Sequence, residues 1–342
     1  MNAVVLAGGL SPERDVSLSS GCLIANALIK NGHAAVLLDL YTGMEDSSCF
    51  GEALEKHGAG NYTYTIPPEE PDLEKLKTRC GGREEWIGPN VIEICKTADA
   101  VFLALHGAMG ENGQIQAVFD TYNISYTGTG YTGSLLAMDK GISKELMSFH
   151  KIKTPDWILH YGKTPPPVPF LPCVIKPVHC GSSIGVSIVE TAGEFAAALS
   201  YAGKYEDTLL FERKIDGREF TVGILDGRAL PVIEIIPRSG FFDYRNKYQQ
   251  GMTSEICPAD IDTSLSRELQ DTASAVHRIL RLGSYSRIDF IVDKTGTVHC
   301  LEANTLPGMT PASLLPQASA AAGISYEALC ERILNLALGN KN

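Results

Sequence analysis

The sequence predicts a multidomain chain of the α/β and α+β classes whose first unit is a parallel α/β domain. Three observations predict it: a strand–loop–helix opening between Ala3 and Asn31, a continued alternation of strands and helices to about residue 139, and long alternating strands beyond Asp216 that end in a paired segment at 285–304. With 342 residues and 44% hydrophobic content, the chain is large enough for two or three compact units.

The elements follow in order. Ala3-Val-Val-Leu-Ala7 is a short apolar run that stops at Gly8-Gly9, and Leu18, Cys22, Ala25 and Ile29 then recur at helical spacing between Ser17 and Asn31. Ala34 to Leu40 reads as a second strand. Ala98 to Leu105 reads as a third, stopping at His106-Gly107 ahead of a helical stretch from Gln114 to Tyr122. Such an alternation points to a parallel sheet with ligands beyond the carboxyl ends of its strands. Residues 41–97 lack clear periodicity and read as an insertion. The stretch from Gly133 to Lys151 is helical in pattern, and Pro155 and Pro165-Pro-Pro167 break the chain after it. A boundary near residue 139 therefore divides the chain into units at 1–139, 140–215 and 216–342.

The middle unit reads as strands at 173–177, 187–190 and 209–215 with a helix at 194–202. In the last unit, strands at 220–225 and 230–236 precede a helix at 265–282, a strand pair at 285–304 and a final helix near 326–338.

Composition excludes several classes of function. No apolar run approaches the roughly 18 residues of a membrane helix, and the start of the chain has no basic segment of the kind that opens a signal peptide. Nine cysteines without a C-x-x-C pair argue against a disulfide framework and a zinc site, and a reducing cytoplasm is expected. A net charge of −11 disfavours a nucleic-acid surface, so any phosphate site must be local.

Four short stretches carry chemistry. The hairpin signal Lys294-Thr-Gly-Thr297 joins Tyr285–Asp293 to Val298–Asn304. If Thr295-Gly296 is the loop, Asp289 lies opposite Glu302 and Arg287 opposite Asn304, all four on one face. A loop from Asp293 to Gly296 keeps that face, whereas an odd shift of register destroys it. Two carboxylates and an amide beside a guanidinium suit a divalent cation next to an anion, the other reading being a surface charge ladder. The second stretch, Val174-Ile-Lys-Pro-Val-His-Cys-Gly-Ser-Ser-Ile-Gly-Val186, is a strand ending in Lys176 followed by a Gly-Ser loop. It is either a phosphate cradle or a plain glycine turn; no P-loop and no G-x-G-x-x-G occur. Third, Gly8-Gly-Leu-Ser-Pro-Glu-Arg-Asp-Val-Ser17 places Glu13 at a helix entrance, where it could cap, pair on the surface or bind. Finally, His106 ends a strand inside His-Gly-Ala-Met-Gly-Glu-Asn-Gly113, in a structural or a functional role.

Together these pieces resemble the D-alanine:D-alanine ligase family of ATP-grasp enzymes. G-G-x-S-x-E-R-x-V-S, A-L-H-G, M-D-K, K-P-x-x-x-G-S-S-x-G, S-G-x-F-D-Y-x-x-K-Y, R-I-D and L-E-A-N-T-x-P-G-M-T occur in the family's order over nearly the whole chain, with 41–97 matching poorly. The resemblance implies an ATP-grasp fold, with ATP held between the antiparallel sheets of the central and C-terminal units. It implies that Lys140, Lys176 and Lys247 contact ATP phosphates. Glu212 and the backbone of Lys214 and Ile215 would hold the adenine, and Glu219 the ribose. Asp289, Glu302 and Asn304 would ligate two Mg²⁺ ions, with Mn²⁺ as a substitute. Glu13 would pair with the ammonium of the first D-alanine, His106 would orient that substrate, and Ser313 would bind the second carboxylate. Arg287 and the Gly308 N–H would form the oxyanion site, and Ser182 and Tyr248 would join Glu13 in closing a lid.

The implied reaction joins two D-alanines through a D-alanyl phosphate for peptidoglycan precursors, in a cytoplasmic homodimer with no nucleic-acid or membrane partner. Ala108-Met109 and Pro311-Ala312 depart from the family's usual residues beside the substrates. D-Serine or D-lactate as second substrate, or a nucleotide-binding relative without catalysis, are the alternatives. Tyr248 argues against lactate, because the lactate-using members tend to have His there.

Overall fold

The computed structural model describes residues 1–58, 60–67, 69–162, 166–181, 184–237 and 253–339. The first layer contains β1 (Asn2–Ala7), α1 (Arg14–Lys30), β2 (Ala34–Asp39), α2 (Phe50–His57), α3 (Leu73–Arg79), α4 (Val91–Lys96), β3 (Ala100–Leu103) and α5 (Gln114–Thr121). β1 lies between β2 and β3 and pairs with both in parallel. Helices cover both faces of such a sheet, which is why Ala3 to Ala7 is an unbroken apolar run and wholly buried. The 41–97 segment, expected as an insertion, builds the crossover from β2 to β3. Phe50, Ala53, Val91 and Ile94 bury in the same core as β1, and Tyr62 exchanges two hydrogen bonds with Asn26 of α1, at 2.8 and 2.9 Å. Short helices and mixed polarity hide the helical period there, so pattern alone does not expose it.

The helical pattern at 133–151 resolves into α6 (Tyr131–Met138) and α7 (Lys140–Phe149), broken at Asp139. The Asp139 carboxylate accepts from the Ile142 N–H at 2.9 Å, a side-chain N-cap that starts α7. Lys140 is thereby placed at the first position of α7.

The second sheet is antiparallel, in the order β4-β7-β5-β6, from β4 (Trp157–Tyr161), β5 (Cys173–Pro177), β6 (Ser187–Val189) and β7 (Thr208–Arg213). α8 (Ala192–Ala202) packs on it through Phe195 and Ala198. β4, unannounced by the sequence, is an edge strand with little burial. The third sheet contains β8 (Gly217–Leu225), β9 (Arg228–Ala229), β10 (Ile233–Pro237), β11 (Thr253–Ile256), β12 (Tyr285–Asp293) and β13 (Val298–Asn304). Its order is β11-β10-β8-β12-β13, with β9 paired to β8. α9 (Thr263–Ile279) backs this sheet, its Leu269, Ala273 and Val276 sharing a core with Phe220, Ile288 and Phe290. α10 (Leu314–Ala321) follows β13. α11 (Tyr326–Gly339) leaves the third sheet and packs on α1, where Leu329, Ile333 and Leu334 join the first core and Lys30 pairs with Glu327 at 2.6 Å. All nine cysteines are free, and no helix among the described residues is long and apolar enough to cross a membrane.

The hairpin of β12 and β13 has the anticipated pairing at its far end but not at its turn. Arg287 faces Asn304 and Asp289 faces Glu302, yet Phe290 faces Cys300 and Val292 faces Val298. The turn thus sets the odd register that would have ruined the shared face. One surplus residue on β13, Leu301, forms a β-bulge that restores it. Val298, Cys300 and Ala303 consequently face the core, and Glu302 and Asn304 the opposite side.

Deleting Leu301 removes the bulge and drives Glu302 and Asn304 toward the core in place of Ala303. The expected outcome is a loss of more than about 3 kcal/mol in unfolding free energy, together with loss of ATP binding. Denaturant unfolding and ATP titration of the variant measure both, and wild-type values would show that the bulge sets nothing.

Candidate active site

The site begins where β1 ends. Gly8 has φ +69°, and a Cβ there would lie 2.4 Å from Asp39 Oδ2, so only glycine fits. The Gly8 N–H donates to Ser17 Oγ at 2.8 Å, and that hydroxyl donates to the Ala104 carbonyl at 2.7 Å, tying the loop to the end of β3. Arg14 clasps Asp39 and the Gly9 carbonyl. Glu13 occupies the N-cap position of α1, but its side chain makes no capping bond and is buried in the cleft. Gly107, at φ +73°, brings the loop after β3 onto it: a Cβ there would be 2.7 Å from Ser11 Oγ and 3.2 Å from Glu13 Oε2. Both loops lie beyond the carboxyl ends of parallel strands.

His106 is buried beside Glu13. A ring N–H donates to the Leu306 carbonyl, and Nε2 has no partner among the described residues. Burial pushes its pKa below the ordinary value and outweighs the pull of Glu13, so the imidazole is neutral at pH 7. Glu111, which sequence reasoning passed over although it lies in the same motif, faces Glu13. Its Oε2 accepts from the Gly107 N–H at 2.7 Å, while burial and the Glu13 charge push its carboxyl up to about 8. A Cβ on Gly181 would stand 3.7 Å from Glu13 Oε2 and 3.9 Å from Glu111 Oε2, so the Gly-Ser loop closes this corner.

On the strand pair, Asp289 is buried and fully engaged. Arg287 donates twice to it, at 2.9 and 2.8 Å, Asn304 Nδ2 donates at 2.9 Å, and Thr221 Oγ1 from β8 donates at 2.6 Å. Thr221 is a second residue that the sequence did not announce; it lies across from Asp289 in the ladder. Among the described residues no three His, Cys, Asp or Glu side chains gather as a metal centre. Two carboxylates and one amide oxygen do gather, with Lys140 and Lys176 close enough to feel the Glu302 charge. Hard oxygen donors that leave room for phosphate oxygens fit Mg²⁺.

The lysines form a connected group. Lys140 Nζ donates to the Cys180 carbonyl at 2.7 Å. Lys176, at the end of β5, pairs with Glu212 on β7, and so does Lys144, which lies one helical turn beyond Lys140 and is wholly buried. Lys144 also donates to Thr154 Oγ1. Burial pushes the Glu212 carboxyl up, but the Lys144 and Lys176 ammoniums outweigh that and hold it down to about 2. Glu212 thus anchors two cations while lining a slot between two sheets.

That slot runs between the second and third sheets, walled by Val174, Val186, Ile188, Ile291 and Leu301, with Lys214, Ile215 and Glu219 at its rim. The Lys214 ammonium turns outward to Glu190 and Asp216, at 2.7 and 3.3 Å, so its backbone is what faces the slot. A second, polar cavity holds Glu13, His106, Glu111, Arg287, Asn304 and Gly308. Lys140, Gly181 and Glu302 line both cavities, which therefore meet. Ser313 stands behind Gly308, its Oγ accepting from the Thr310 N–H at 3.1 Å. A Cβ on Gly308 would be 2.9 Å from that Oγ. Ser182, Lys247 and Tyr248 lie outside the described residues.

Comparison with known proteins follows the same outline. Family profiles described as D-ala D-ala ligase N-terminus and C-terminus match residues 2–129 and 148–335. The chain is 44% identical to the D-alanine–D-alanine ligase of Pediococcus pentosaceus, over 98% of this chain and 97% of the relative. It is 41% identical to that of Lacticaseibacillus casei, over 98% and 95%. Among solved structures, the Bacillus anthracis D-alanine–D-alanine ligase complexed with ATP is similar at a TM-score of 0.74 and 29% identity, covering 98% of this chain and 97% of that one.

The Glu212 anchor has a pH signature. Because its folded-state pKa is depressed to about 2, the stability that it contributes is complete above the unfolded carboxylate range and is lost as pH falls from about 4.5 toward 2. The stability difference between the wild type and Glu212→Gln should shrink over that window, as read by denaturant unfolding at stepped pH. A constant difference would mean that the lysines do not hold Glu212 ionised.

Proposed function

The chain belongs to the D-alanine–D-alanine ligase family, and from that membership we propose how its two joined cavities carry out ATP-dependent joining of two D-alanines into D-alanyl-D-alanine. The observation that carries the reading is the shared border: Lys140, Gly181 and Glu302 belong to the nucleotide slot and to the polar cavity at once. A γ-phosphate at that border reaches a carboxylate on the other side.

ATP lies with its base in the apolar slot, against the backbone of Lys214 and Ile215, and its ribose toward Glu219. Lys140 and Lys176 and the loop at Gly181 meet the phosphates, and the family resemblance adds Lys247 to them. Asp289, Glu302 and Asn304 would hold Mg²⁺, which when bound would offset the phosphate charge. In this reading the units are 1–139, 140–215 and 216–342, each built around one sheet, with α11 returning to the first.

The ammonium of the first D-alanine pairs with Glu13. Glu111 stands beside it as a carboxyl that keeps its proton until a cation arrives. Neutral His106 orients this substrate without adding charge. A carboxylate oxygen of the first D-alanine attacks the γ-phosphorus, the bond to ADP breaks, and an acyl phosphate results. The second D-alanine, its carboxylate near Ser313, loses its ammonium proton to solvent, attacks the acyl carbon as the free amine and passes a second proton to the departing phosphate. Arg287 and the Gly308 N–H stabilise the oxyanion before phosphate leaves. An acyl phosphate is lost to water in an open site, so Tyr248 with Ser182 and Glu13 would close it.

The direct test measures ADP, phosphate and dipeptide with D-alanine, and with D-serine or D-lactate as the second substrate. Stoichiometric D-alanyl-D-alanine is expected with D-alanine alone, and a preference for another acceptor would overturn the substrate assignment.

Glu302→Gln removes one of two carboxylates from the Mg²⁺ set. Turnover should fall by at least about two decades while the melting temperature stays near that of the wild type. Near-normal turnover at saturating Mg²⁺ would remove Glu302 from the metal site.

A further inference from the structure

The segment that joins β5 to the Gly-Ser loop is fastened at a point that none of the roles above uses. After Lys176-Pro177 the chain passes through Val178, His179 and Cys180 to Gly181. The His179 imidazole spans two carboxylates: Nδ1 meets Glu206 Oε1, just beyond α8, and Nε2 meets Asp139 Oδ2 at 3.2 Å, at the start of α7. Its backbone N–H donates to the other Glu206 oxygen at 2.9 Å. Asp139 keeps its own second oxygen for capping α7, and the next residue, Lys140, donates from Nζ to the Cys180 carbonyl at 2.7 Å.

We propose that His179 is a positioning residue for the ligation reaction, pinning the phosphate loop to the first turn of α7 while its ring is protonated and releasing it when the proton leaves. Only an imidazolium has an N–H for each carboxylate; a neutral ring serves one and leaves Asp139 and Glu206 facing each other as like charges. The charged and titratable groups around the ring are Asp139, Lys140, Glu206 and the Cys180 thiol. The Glu206 hydrogen bond first, and the Asp139 charge with it, hold the His179 pKa above its ordinary value despite partial burial. The fastening is therefore complete below the ordinary histidine pKa and lost as pH rises through the raised one. The inference rests on the reading that this loop and Lys140 grip the ATP phosphates.

The test titrates the full chain with ATP and Mg²⁺, without D-alanine, from about pH 6 to about pH 9, alongside KM for ATP and kcat. Wild-type affinity should weaken about five- to tenfold across that range. His179→Gln should bind at the weak level throughout, with kcat at saturating ATP changed less than about twofold. His179→Arg offers a permanently charged fork to both carboxylates and should bind at the strong level throughout. If His179→Gln melts early, the arginine variant decides by itself. Lys140→Met separates the two readings. If it loses ATP affinity while the His179 variants keep the wild-type constant and pH profile, the positioning role alone is overturned. If it keeps full affinity, the phosphate-site reading fails and the inference falls with it.

Discussion

Leu301 is one residue more than the β12–β13 ladder can pair, and the chain takes it up as a bulge. Everything on the cleft side of that hairpin depends on it. Val298 and Cys300 put the strand in phase with the core; after the bulge, Ala303 takes the inward position, and Glu302 and Asn304 turn toward Asp289 and Arg287. A strand has a period of two, so a single residue decides which set of side chains meets water. Leu301 itself also walls the apolar slot between the second and third sheets, so the residue that sets the phase is in the candidate site.

The second organising constraint is charge. An acidic chain gathers Lys140, Lys144, Lys176 and Arg287 into one region, and it keeps them there with carboxylates of graded strength. Glu212 is held ionised by two ammoniums, and Asp289 accepts hydrogen bonds from a guanidinium, an amide and a hydroxyl. At Glu111, burial and the Glu13 charge outweigh the pull of Arg287 and Lys140, and the carboxyl retains a proton instead. The same physics thus produces fixed anions beside the lysines and a neutralised carboxyl beside Glu13.

Geometry around the first two loops follows from glycines whose Cβ atoms would have no room. Gly8 lets the β1 loop wrap the Asp39 carboxylate, and Gly107 lets the β3 loop touch Ser11 and Glu13. Through these contacts the parallel sheet supplies Glu13 and His106 to a cavity whose opposite wall, Arg287 and Asn304, comes from an antiparallel sheet more than a hundred residues away in the chain. The packing of α11 on α1 holds the two ends of the protein to one core and keeps that juxtaposition in place.

By itself the sequence determined the main strands and helices outside 41–97, the strand that ends in Lys176, and the motif set that identifies the family. Each of these is written in local spacing. It also placed Arg287, Asp289, Glu302 and Asn304 on one face, though through a two-residue turn that the structure replaces with a longer turn and a bulge. The apolar phase change from Cys300 to Ala303 was the available sign of it. Only the tertiary structure decided the rest. Lys144 looks like any solvent-facing lysine on an amphipathic helix until β7 brings Glu212 against it, and Thr221 matters only because β8 pairs with β12. Glu111 becomes a proton holder only when folding sets it beside Glu13. Burial and cross-strand partnership are relations between distant segments, and periodicity within one segment does not carry them.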